Sequence, residues 1–184
     1  MKNLKLSTLI ASSILLFSCS NDDAPEIVNE EELITTVTVT LTNGAEEVTL
    51  TSKDFDGDGP EAPIVNISGD LMANSTYTGT VTFLNELENP VENITEEVLE
   101  EGAEHQVFYQ LTNSLGSFTY TDSDVNGAPI GVSFTLTTND AGNGILSVVL
   151  KHEPNKAGTG VASGDITNAG GETDVEVQFS VVVE

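Results

Sequence analysis

Ile34-Thr35-Thr36-Val37-Thr38-Val39-Thr40-Leu41-Thr42, followed at once by Asn43-Gly44 and then by Val48-Thr49-Leu50-Thr51, decides the fold. Valine and leucine alternate with threonine at a period of two, so one face of the segment is apolar and the other wet, and the β-branched side chains favour an extended backbone. Asn43-Gly44 is a strong two-residue hairpin signal, so the stretch predicts two antiparallel strands. Outward from it the same alternation recurs at residues 64–67, 77–84, 107–111, 116–120, 132–138, 145–150 and 175–183, about nine strands in all. The intervening segments 124–129, 139–144 and 155–171 are rich in Gly, Asn, Asp and Pro, which is turn chemistry. Only residues 94–101 read as helical. Short strands without regularly alternating helices predict an all-β chain, an antiparallel β-sandwich of immunoglobulin-like architecture.

The N-terminal end is organised differently. Lys2 and Lys5 precede an apolar run over 6–17 that is too short to span a bilayer, and Ser18 precedes Cys19, the chain's one cysteine. Residues 1–18 read as a signal peptide, 19–33 as a modified cysteine followed by an acidic tether, and 34–184 as one β domain. The stretch from Leu16 to Cys19 resembles a bacterial lipobox, although Phe17 is bulkier than the usual middle residue. The resemblance implies that Cys19 carries a diacylglyceryl group, so that no thiol remains for catalysis or a disulfide. An ordinary secretory signal cut elsewhere would export the chain as well. Ser20-Asn21-Asp22-Asp23 is similar to the acidic segment behind the lipidated cysteine of surface lipoproteins of the Bacteroidota, particularly flavobacteria. That similarity implies an outer-membrane lipoprotein, lipid-anchored at the cell surface or on the periplasmic face. Chains of this kind are sometimes labelled as a type 1 periplasmic binding fold, a two-lobed α/β architecture that the strand pattern contradicts.

Thirty acidic residues stand against five basic ones, a formal net charge of −25, and two of those five lysines lie in the signal. No arginine occurs. Such a surface repels nucleic acid and anionic headgroups and concentrates cations, although acidity also serves solubility alone.

Two stretches carry metal-ligand chemistry. Asp54, Asp56 and Asp58 alternate ahead of Gly59, so their carboxylates can converge on one hard cation, with Glu61 or a carbonyl completing the shell. Position twelve of that loop is Val65, which excludes an EF-hand; the competing reading is an acidic turn. The second stretch runs from Glu96 to His105 and includes Glu101 and Glu104. The other histidine is His152, next to Glu153. Both histidines fall at strand ends, and imidazole with carboxylates suits zinc or another borderline divalent ion. If the ends meet, His105, His152 and one of Glu101, Glu104 or Glu153 make a three-ligand centre; otherwise they are rim histidines in acidic turns. Hydrolase, nucleotide-binding and metalloprotease motifs do not occur, and the chain has no tryptophan and few aromatics to line a sugar cleft. The sequence therefore predicts binding rather than catalysis and no organic cofactor. The expected ligand is a divalent metal ion or its complex. Resemblance to surface lipoproteins of the Bacteroidota implies a TonB-dependent receptor as partner. The alternative is a structural or adhesive surface module stabilised by calcium.

Overall fold

The structure is a computed structural model that describes residues 33–56 and 59–184. The signal, Cys19, the tether, and Gly57 and Asp58 lie outside the described residues. Among the described residues nine strands form, at β1 Thr36–Asn43, β2 Glu46–Lys53, β3 Ile64–Ile67, β4 Thr76–Leu84, β5 His105–Leu111, β6 Gly116–Tyr120, β7 Ser133–Thr138, β8 Gly142–His152 and β9 Glu172–Val183. Among the described residues one α-helix, α1, spans Ile94–Glu100.

The strands divide into a six-stranded sheet in the order β3-β2-β1-β4-β7-β6 and a three-stranded sheet in the order β5-β8-β9, with antiparallel pairing between the strands of each. The period-two alternation turns Val37, Val39, Leu41, Val81, Phe83, Phe134 and Leu136 of the first sheet into one core with Val107, Tyr109, Leu146, Val148, Leu150 and Phe179 of the second. Each such large apolar side chain contributes on the order of 1.5–3 kcal/mol when fully buried. The all-β, two-sheet architecture agrees with the sequence. Its six-plus-three division differs from the four-plus-three arrangement of an immunoglobulin constant domain, so the agreement stops at the two-sheet level.

The first hairpin forms, but its turn is Gly44-Ala45, with Asn43 paired to Glu46. Gly44 takes φ +63°, the left-handed conformation needed at the first loop position. Moving the turn by one residue sets Leu41 opposite Val48 and Val39 opposite Leu50, where a turn at Asn43-Gly44 would set Leu41 opposite Glu46. Apolar pairing outweighs the local preference for Asn at the first loop position.

The three-stranded sheet is covered on both faces over part of its area. Its outward Phe108 and Val149 pack with Val161 and Ala169 of the segment that follows β8, and Gln106 Nε2 donates to the Val161 carbonyl at 2.9 Å. Five consecutive residues of β5, His105 to Tyr109, are consequently buried. Helix α1 docks on β4 through Ile94, Thr95 and Val98, and the Thr95 hydroxyl accepts from Phe83 N (2.8 Å) and donates to Phe83 O (3.2 Å). This docking fixes where the chain leaves the helix and enters β5.

Candidate metal centre

The register of β5 and β8 pairs Val107 with Leu150, Gln106 with Lys151, and His105 with His152 as the terminal pair. By alternation both imidazoles share the face that carries Val107 and Leu150, so they stand beside the end of the core. His105 is fully buried and His152 is 8% exposed. Residues directly opposite in an antiparallel pair have Cβ atoms about 5 Å apart, within reach for two imidazoles. The rings meet edge to face, with centroids 4.7 Å apart and planes at 77°. Nε2 of His105 lies 3.0 Å from Nδ1 of His152.

A backbone hydrogen bond orients the first of these rings. Nδ1 of His105 lies 3.3 Å from the carbonyl of Glu101, the C-terminal cap of α1, and a carbonyl only accepts. With its Nδ1 proton on that carbonyl, a neutral His105 turns the lone pair of Nε2 toward Nδ1 of His152. A histidine whose outer N–H is held by a backbone carbonyl, with its other nitrogen fixed in direction, is how metal-binding histidines are oriented.

A carboxylate from the neighbouring strand completes the group. Between β8 and β9, Leu150 pairs with Val175 but Lys151 pairs with Thr173, so Asp174 is the extra residue of a β-bulge. A bulge turns the inserted side chain off the face that alternation gives it. One ligand atom each from His105, His152 and Asp174 lies within 4.8 Å of the others, and Oδ2 of Asp174 is out of contact with solvent. Two imidazole nitrogens and a carboxylate oxygen match zinc and its neighbours, whose tetrahedral ligands stand about 3.3 Å apart at ordinary bond lengths. The separation of 3.0 Å between the two nitrogens is close to that spacing.

The exposed Glu104 and Glu153 bracket the pair and form a second ligand-capable group with His152. Their backbones are joined, since Glu153 N donates to Glu104 O at 2.6 Å. Glu101 takes part through its carbonyl, and its exposed carboxylate belongs to neither group. Gly170 and Gly171 (φ +60° and +65°) bring the chain into β9 against His152, and a Cβ on Gly171 would fall 2.2 Å from the His152 carbonyl oxygen. Only glycine permits that approach.

The long segment between His152 and β9 is pinned by a buried lysine. Nζ of Lys156 donates to Oδ2 of Asp124 (3.0 Å), to Pro129 O (2.9 Å) and to Gly102 O, with the Lys156 and Asp124 side chains 9% and 1% exposed. Burial alone would raise the Asp124 carboxyl, but the Lys156 ammonium and the N–H groups of Ala128 and Asn126 outweigh it and hold it below the ordinary range. Close by, burial pushes the Tyr120 phenol up to about 12, and its hydroxyl donates to Val107 O.

The other acidic stretch is arranged differently. Oδ1 of Asp54 accepts from Asp56 N (3.2 Å), and Oδ2 of Asp56 accepts from Glu61 N (3.1 Å). Among the described residues Asp54, Asp56 and Glu61 form no ligand-capable group, and Asp58 lies outside them. Comparisons with protein-family models, with curated proteins and with solved structures returned no match.

Proposed function

We propose that this chain is an exported, lipid-anchored binding protein that holds a divalent metal ion of the zinc class through His105, His152 and Asp174. The observation that carries this reading is the facing of two buried imidazole nitrogens at 3.0 Å, with the far nitrogen of His105 directed to a backbone carbonyl. An ion held by those nitrogens takes the place of the proton between them, with the Asp174 carboxylate near enough to offset part of its charge. Burial of the ligands favours retention of the ion over rapid exchange. The pronounced negative charge supports the same ligand sign, because an acidic surface raises the local concentration of cations.

The test is calorimetric titration of zinc, and separately calcium, into chelator-treated residues 20–184 without an affinity tag, alongside His105→Ala and Asp174→Asn. Micromolar or tighter zinc binding of one ion per chain, lost in His105→Ala and weakened at least about tenfold in Asp174→Asn, is the expected result. Calcium binding alone, or zinc binding indifferent to both substitutions, contradicts the proposal and leaves a structural or adhesive surface module.

A further inference from the structure

The metal reading leaves two exposed carboxylates at the mouth of the centre without a role, and their placement is specific. Glu104 immediately precedes His105 and Glu153 immediately follows His152, so the terminal pair of the β5–β8 ladder sends both glutamates off the sheet at the same end. The hydrogen bond from Glu153 N to Glu104 O joins their backbones there. Each offers a carboxylate oxygen within 4.8 Å of a nitrogen of His152, a side chain more than nine-tenths buried. His152 thus belongs to two groups, an inner one with His105 and Asp174 and an outer one with Glu104 and Glu153.

We propose that Glu104, Glu153 and His152 form a second, solvent-side cation position through which the ion reaches the buried centre; this rests on the metal reading above. The physical need is plain. A hydrated divalent cation cannot cross into a buried site without first giving up water, and carboxylate oxygens at the surface replace those waters while keeping the charge compensated. His152 is then the residue common to both positions. The same arrangement sorts cations: calcium and magnesium prefer oxygen ligands and stop at the outer position, whereas zinc, nickel and copper(II) gain two nitrogens by moving inward.

Stopped-flow mixing of zinc with the full chain purified in detergent, read through a competing chromophoric chelator, tests this. In the double variant Glu104→Gln/Glu153→Gln the association rate falls about tenfold or more, while the equilibrium affinity changes much less. Asp174→Asn shows the converse, retained rapid capture with weakened equilibrium affinity. The double variant Glu46→Gln/Glu47→Gln, equally conservative on the exposed start of β2, controls for the loss of two negative charges. An association rate equal to wild type in Glu104→Gln/Glu153→Gln, or one reduced no more than in the control, overturns the loading role while leaving the buried centre standing. Loss of equilibrium affinity as large as in Asp174→Asn also overturns it, by making the glutamates part of one centre. Absence of zinc binding in the wild type sinks both proposals together.

Discussion

At the scale of single residues the centre turns on one shared proton. Nδ1 of His152 faces Nε2 of His105, and a cation bound to both atoms takes the place of the proton between them, so a neutral His152 carries its proton on Nε2 instead. Nitrogen-15 NMR of the imidazoles reads that change of tautomer as zinc is added; His152 ring shifts that stay unchanged would show that the facing nitrogens are not the ligands. A second residue-scale prediction concerns Asp124, buried against Lys156. Removing one partner of a buried ion pair leaves the other uncompensated, so Asp124→Asn lowers stability by about 3 kcal/mol or more, measurable by denaturant unfolding. Because the folded-state carboxyl titrates below its ordinary value of 3.8, its stabilisation is fully present above that value and is lost as pH falls through the lower, folded-state value. Wild type therefore loses stability faster than Asp124→Asn on acidification below about pH 4, and parallel acid-unfolding curves would refute this.

Elements place those residues, and two irregularities matter more than the regular ladders. The bulge in β9 brings Asp174 to the histidines, so deleting Asp174 restores an even register, removes the carboxylate and abolishes zinc binding while the sheet persists by circular dichroism. Gly171→Ala forces a Cβ against the His152 carbonyl at a positive φ, and it destabilises by more than about 1 kcal/mol while weakening metal affinity. A Gly171→Ala variant that melts and binds like wild type would show that this approach is loose. These irregularities also mark where sequence reading stops. The alternation over 175–183, extended backward, puts Asp174 in step with the outward Glu176 and Gln178, so nothing in the pattern betrays a carboxylate turned to the other face. The strands run past the alternation for a related reason: His105, Gln106, Lys151 and His152 are ladder residues without apolar side chains, and a hydrophobic period cannot count them. That both histidines lie at strand ends was legible, whereas the adjacency of those strands and the facing of the two rings required the pairing of β5 with β8, a contact across 47 residues.

The whole molecule follows from a core that the sequence announced well. Threonine alternating with valine and leucine suffices to specify half-buried strands, and every alternating run became one, because burial of one face is a sum over many residues and tolerates local exceptions. The divided order of six and three strands was not legible, since it depends on which edges meet across long loops. A bound ion links three neighbouring strands of the smaller sheet, so saturating zinc stabilises the fold by about 2.7 kcal/mol at a hundredfold excess over Kd, and a chelator reverses the rise in melting temperature. Calcium at the same concentration leaves the melting temperature nearly unchanged if the buried centre is the stabilising site.

The most direct measurement is anomalous X-ray scattering at the zinc edge from crystals of the tag-free protein grown with stoichiometric zinc. The account predicts one strong peak about 2.1 Å from Nε2 of His105, with a nitrogen of His152 and an oxygen of Asp174 at similar distances. A peak confined to the Asp54–Glu61 loop, or no peak at His105 under saturating zinc, would contradict it.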